Sequence, residues 1–514
     1  MENINKEYQK TKRSSEIYTE SSAEYVIPDY KGDIRKLLLT DAEVRPSGRF
    51  ASGGEVECSG IVVYNIVYSD GDGEISSASF SSDYEYKVKC SEEDYINSFT
   101  DARVSSVSIR LVGPRKVCAK ATVSAVTSIV ERADTSVSGT AFEGEEMPEL
   151  LTESVRTRRS AVSESAEREY AEVIATLDGA IADEVSVIYS GADVDVDDVH
   201  FDDGILTVDG SVTLFALIKN GDDPIFVSER EMDFEQDVPF SDATPDMTFI
   251  PSVNVVSLRD SVNATESGSE VVLSAIVEFS AIGEGNSDTE VVGDAYMRSC
   301  VCENVYDDFN YCEFLSAVRI NEKVEGELER SSVDCDNIRE VIGLTAQARV
   351  DGVETSGDGV ALRGEVRFCG IACGVDAEGK AVYAPVKFST EFNKNVKLNC
   401  QTNDKTRIEH KIELSHIRAG LDEKNIWASA DMGIRLCVFE DKCVRVLESA
   451  DARVDLPFES RGSRVSVYYP DKDETLFEVA KKFHTTVAKL AMDNSLTASV
   501  STIGEDGVKK LMIF

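Results

Sequence analysis

Four histidines, twelve cysteines and one run of aspartates are the residues with which this chain could do chemistry. Of the histidines His200, His410, His416 and His484, only His410 and His416 are spaced to share a face, six apart in a predicted strand. No Cys or acid joins them at ligand spacing, and a metal site needs three or four converging donors. Structural or surface roles are expected, and no metal. The run Asp193-Val194-Asp195-Val196-Asp197-Asp198, with Asp202 and Asp203, carries the carboxylates of a calcium loop but not its glycine or terminal glutamate. It is expected to be a solvated strand edge whose charges discourage edge pairing. Nine of the cysteines lie at or beyond Cys300. The closest, Cys300 with Cys302 and Cys369 with Cys373, have no second pair at zinc-finger spacing, so reduced, buried thiols are expected. A P-loop, a His-Glu-x-x-His helix and a Gly-x-Ser-x-Gly elbow are all lacking. No catalytic residue is nominated, the chain is expected not to be an enzyme, and no cofactor is expected.

The elements that hold these residues come from a threefold repeat. Ala42, Ala192 and Ala346 are each followed eighteen positions later by a glycine, Gly60, Gly210 and Gly364, so the copies are offset by 150 and 304. Around each glycine apolar residues alternate, as a strand with one buried face requires. The faces read Val56, Cys58, Gly60, Val62, Tyr64; Leu206, Val208, Gly210, Val212, Leu214; and Val360, Leu362, Gly364, Val366, Phe368. Turn-rich loops follow at Ser69 to Gly73, Lys219 to Asp223 and Asp376 to Gly379, each predicting a hairpin. Farther on come Ile109-Arg110, Leu258-Arg259 and Ile417-Arg418, then a second alternating strand in each copy. The fold class is therefore mainly β, three β-rich repeats, each a sandwich or open barrel. The expected divisions are a polar tail (1–18), repeats at 19–133, 150–283 and 297–457, and a last unit at 464–514. Pro148 with Leu150, Leu151 and Val155 is expected to start a short linking helix, and Gly283 to Thr289 reads as a linker.

Length and charge bound the partners. At 514 residues several cores are needed. With 53 Lys plus Arg against 95 Asp plus Glu the net charge is −42, which repels phosphate backbones and anionic lipid, so nucleic acid is not an expected partner. Met1 to Glu20 lacks the apolar core of a signal peptide, and no stretch reaches the ~18 apolar residues of a membrane span. A cytoplasmic location is expected.

After Arg461-Gly462-Ser463 the pattern changes to helix. Thr475-Leu476-Phe477-Glu478 reads as a capping box. Leu476, Val479, Ala480 and Phe483 then share one helical face, and a second helix from Thr486 offers Val487, Leu490 and Ala491. With strands at Val465 to Tyr469 and Lys510 to Phe514 this makes a β-α-α-β unit whose core is Leu476, Val479, Phe483 and Leu490.

The run from Asp473 to Thr486, with Leu490 and Asn494-Ser495-Leu496, resembles a LysM domain. It departs from the family at Asp473-Glu474, where Gly-Asp is usual, and in the second loop, which lacks the usual proline and Gly-Gln. The resemblance implies a groove lined by Glu474, Thr475, His484, Lys489, Asp493, Asn494 and Leu496, and the departures favour protein over glycan in it. The run Val26-Ile27-Pro28-Asp29-Tyr30-Lys31-Gly32-Asp33-Ile34-Arg35, with Gly60 and Leu111-Val112-Gly113-Pro114-Arg115-Lys116, resembles the SPOCS domain of sporulation and spore coat proteins. Together the two resemblances imply a non-enzymatic scaffold of spore coat assembly. It would act in the mother cell at the forespore surface and bind the coat morphogenetic ATPase SpoIVA through the LysM domain, with other coat proteins as further partners. The alternative they leave open is a protein that binds peptidoglycan, the N-acetylglucosamine polymer of the wall.

Overall fold

The computed structural model describes residues 4–221, 223–459, 465–471, 473–496 and 510–514. The expected junction at Arg461-Gly462-Ser463, and Asp222 of the second hairpin loop, lie outside them.

The first copy runs through β1 (Ile4–Arg13), β2 (Ile17–Val26), β3 (Lys36–Ser52), β4 (Glu55–Ser69), β5 (Ile75–Lys89), β6 (Tyr95–Gly113) and β7 (Lys116–Val137). The order β3-β4-β5 forms one antiparallel sheet, and β7 lies at the centre of the other, flanked by β6, β2 and β1. The alternating face of β4 meets that of β7 across the gap, with Val56, Cys58, Val62 and Tyr64 packed against Ala119, Ala121 and Val123. Each copy is thus a sandwich, which burying one face of every strand requires.

The second copy repeats the plan with β8 (Glu149–Val162), β9 (Ala166–Asp178), β10 (Val185–Asp202), β11 (Ile205–Asn220), β12 (Phe226–Pro239), β13 (Thr248–Ala264) and β14 (Gly268–Tyr296). In the third, β15 (Cys300–Glu329) does the work of two strands, before β16 (Glu340–Ser356), β17 (Gly359–Val375), β18 (Ala381–Lys397), β19 (Thr406–Leu421) and β20 (Asn425–Pro457). The alternating residues read from the sequence are the cores of these sandwiches.

The shared glycine has a common cause. Gly60, Gly210 and Gly364 each sit opposite a bulge in the preceding strand, at Pro46/Gly48, Val196/Asp198 and Val350/Gly352. Each also pairs with an aromatic on the following strand, Tyr84, Phe234 or Phe392, whose ring lies over the glycine. A Cβ would strike both the ring and the carbonyl oxygen of the residue just before the bulge, Arg45, Asp195 or Arg349. Ala42, Ala192 and Ala346 pair with Tyr64, Leu214 and Phe368 farther along the same hairpins.

The copies close on one another. The first meander strand of each lies against the meander of a neighbour: β3 on β17 and β18, β10 on β4 and β5, β16 on β11 and β12. Such head-to-tail contacts form a ring when the rotation closes, here within one chain. On its axis Leu38, Ile188 and Ile342, and Val67, Leu217 and Ile371, are buried together. Both sets recur at the repeat offsets of 150 and 304.

Beyond the sandwiches the last parts of β7, β14 and β20 continue as ribbons with β1, β8 and the first part of β15. The ribbons pack together, sharing Val137, Phe142, Ala295, Cys300, Leu447 and Ala450. Three expectations are corrected here. The polar tail expected at 1–18 holds β1, paired to β7 over its whole length. The helix expected near Pro148 is instead β8, and the linker expected at Gly283 to Thr289 lies inside β14. The physical reason is that this bundle buries polar side chains with partners. Arg158 pairs with Glu284, its Nε 2.8 Å from Oε2, Ser160 Oγ donates to Glu284 at 2.8 Å, and the Thr157 and Thr289 hydroxyls are 2.7 Å apart. No described helix is long and apolar enough to cross a membrane.

Candidate functional site

The C-terminal unit consists of β21 (Ser466–Tyr468), α1 (Leu476–Phe483), α2 (Val487–Asp493) and β22 (Leu511–Ile513), with β21 and β22 antiparallel. The β-α-α-β order is the one read from the sequence. Thr475 Oγ1 accepts from Glu478 N–H at 3.2 Å while Glu478 Oε2 accepts from Thr475 N–H at 2.7 Å, so both ends of the capping box are closed. Thr486 caps α2 by accepting from Lys489 N–H at 3.0 Å. Leu476, Val479, Leu490, Leu511 and Ile513 are buried in one cluster, with Phe483 and Leu496 packed at its margin.

The seven expected groove residues are spread over both ends of α1, over α2 and over the residues that follow it. Glu474 and Thr475 lie at the start of α1, where the Glu474 carboxylate accepts from Tyr468 Oη at 2.9 Å and from Asp471 N–H at 3.1 Å. His484 caps the opposite end of α1 in a left-handed conformation, its ring stacked on Phe458 with centroids 3.5 Å apart. Asn494 ties α2 to β22, donating to Leu490 O and Met512 O at 2.9 and 2.8 Å and accepting from Met512 N–H. Lys489 and Asp493 are exposed on α2. Most of the second loop, 497–509, is outside the described residues.

The unit is docked on the second and third copies, which the sequence reading missed. Tyr296 at the end of β14 joins its core, meeting Phe477 edge-on at 5.1 Å and donating its hydroxyl to Thr485 O at 2.6 Å. Burial raises the Tyr296 phenol, keeping it neutral and a donor. Lys481 Nζ lies 2.5 Å from Asp294, which also accepts from Tyr306 Oη and Asn304 Nδ2 at 2.7 Å each. Burial works to raise the Asp294 carboxyl, but the bonds from Lys481 and Tyr306 prevail and hold it below its usual range. The available signal was the apolar pair Tyr296-Met297, which follows the stretch expected to be a linker. One face of α1 is thus covered, whereas on α2 Met492 stands 81% exposed beside the exposed Lys489 and Asp493.

The remaining candidates fall elsewhere. Asp197 and Asp198 are exposed on β10, an edge strand of its sheet, as expected of a solvated edge. Asp193 and Asp195 instead line a cavity between the copies, where His416 Nδ1 lies 3.8 Å from Asp195 and 3.4 Å from Asp431. His416 occupies a bulge in β19 with φ of 48°, and His410 is half-buried on the regular part of that strand. No group of three or more His, Cys, Asp or Glu side chains is placed to hold a metal among the described residues. All twelve cysteines are free thiols, with Cys58, Cys300, Cys373 and Cys437 buried.

Comparison with protein-family models, with curated proteins and with solved structures finds no match.

Proposed function

We propose that this protein is a non-enzymatic scaffold of spore coat assembly, in which the C-terminal unit, read as a LysM domain, binds a SpoIVA-like coat morphogenetic ATPase. The reading rests on the sequence resemblances. The observation that carries it is that the run resembling LysM forms two capped helices between paired strands, with Lys489, Met492 and Asp493 exposed. A unit fixed to a large body by Tyr296 and Lys481 suits an adaptor, because a preoriented binding element loses less freedom on association. On this reading the protein works in the mother cell at the forespore surface.

The test is a pull-down of purified SpoIVA by the full chain and by a Lys489→Glu, Asp493→Lys double variant, beside sedimentation with peptidoglycan. The expected result is capture of SpoIVA by the wild type, at least about tenfold weaker capture by a variant of unchanged melting temperature, and no sedimentation. Sedimentation without capture of SpoIVA would transfer the protein to the wall-binding class. Undiminished capture by the variant would remove this face from the proposal.

A further inference from the structure

Arg319 on β15, Arg435 on β20 and Lys411 on β19 are direct cross-strand neighbours. Side chains at paired positions project to the same face, so three cations stand in one row across three strands. The face is the outer one of this sheet, because Met432, Ile434 and Leu436 on either side of Arg435 fill the sandwich core. Like charges directly opposite one another destabilise a sheet unless an anion sits among them.

The row is incompletely neutralised. Lys411 has Glu413 at 3.0 Å and Asp101 at 3.8 Å. Arg435 is only 8% exposed, yet among the described residues no carboxylate reaches within 4.0 Å of it, and its contact is a 3.4 Å bond to Pro251 O. Arg319 donates to Val196 O at 2.7 Å and likewise has no carboxylate in contact among the described residues. The Glu413 carboxylate acts on Arg435 and Arg319 only from beyond contact distance, so neither guanidinium has a paired carboxylate, and the planar fork suits a carboxylate or phosphate.

The other two copies serve as controls inside the same molecule. At the position of Arg435 the first copy has Val126, paired with Asp101, and the second has Ser280, paired with Ser252. The sandwich plan therefore does not require a cation there. All three residues of the row line a cavity of about 680 Å³ between the copies. Asp193, Asp195 and Asp197 of β10 also line it, as do Asp101, Glu322, Glu413 and Asp431. Among so many carboxylates an extended polyanion is disfavoured against a compact oxyanion.

We propose that this cavity is a binding site for a small ligand bearing one compact oxyanion, a phosphate or a carboxylate, seated on Arg435 and Arg319 beside Lys411. The inference is independent of the coat-scaffold reading. It is tested by following the melting temperature of the full chain against inorganic phosphate and, separately, acetate, each matched in ionic strength by sodium chloride. One of the two is expected to raise it saturably at millimolar concentration, and which one identifies the headgroup. Arg435→Ser, taking the residue of the second copy, should weaken that response at least about tenfold. Should that variant fail to fold, Arg319→Ser, at an exposed position, is expected to show the same loss. No response to either anion beyond chloride, or an undiminished response in the folded variant, would overturn the site.

Discussion

A single glycine recurs in each copy because the backbone of one bulge and the ring of one aromatic leave no room for a side chain. In the third copy a Cβ on Gly364 would fall 2.6 Å from Phe392 Cζ and well inside contact of the Arg349 carbonyl oxygen. The ring can turn, but the carbonyl belongs to Arg349, which strand pairing with Glu365 holds beside the bulge. Gly364→Ala is therefore expected to destabilise the protein by about 1–3 kcal/mol, the usual cost of overpacking. A denaturant titration would show this as an earlier midpoint, and an unmoved midpoint would mean the bulge yields freely. The glycine and its eighteen-residue spacing from the alanine were readable from the sequence. The aromatic partners were not legible there, because they lie on another strand at unequal distances, twenty-four residues beyond Gly60 and Gly210 and twenty-eight beyond Gly364.

Among the elements, α1 shows how little holds a short helix and how local that support is. Eight residues cannot sustain a helix alone, so α1 depends on its cap, its buried face and Tyr296. Thr475→Ala removes the acceptor for Glu478 N–H and is expected to cost about 1 kcal/mol. The loss should appear as faster amide hydrogen exchange in α1 with the protection of β4, β11 and β17 unchanged, and equal loosening of those strands would refute the local account. This cap was legible because its chemistry lies within four consecutive residues. So were the sandwich strands, since one apolar face against one polar face leaves a period of two. The ribbons were illegible for the converse reason. Asn286, in a stretch whose composition reads as a loop, donates to Phe314 O at 2.7 Å and accepts from Phe314 N–H at 2.9 Å. Polar residues that satisfy one another across copies leave no hydrophobic period to read.

Three sandwiches closed around an axis make up most of the described molecule, and their stability depends on what is buried where they meet. Next to the apolar axial residues stands Asp41, 8% exposed, which accepts a bond from Tyr189 of the second copy at 3.2 Å. Burial above all, with Glu43 and Asp193 adding to it, pushes the Asp41 carboxyl up to about 6, against the smaller opposing effects of Ala42 N–H and the Tyr189 hydroxyl. In the unfolded chain the same group titrates near ~3.9. Between these values the unfolded state has lost the proton and the folded state still holds it, so stability falls as pH rises through that window. The penalty is absent below about pH 4 and complete above about pH 6, where it amounts to about 3 kcal/mol. Other carboxylates also protonate in acid and relieve the charge of −42, so the pH profile of the wild type alone does not isolate this group. Asp41→Asn does, because the amide oxygen keeps the Tyr189 bond and carries no charge to desolvate. The variant is expected to melt above the wild type at pH 8 and to converge with it near pH 4. A difference that stayed constant across that range would show that the junction does not hold Asp41 as a strained carboxylate, and that the copies meet around it with water between them.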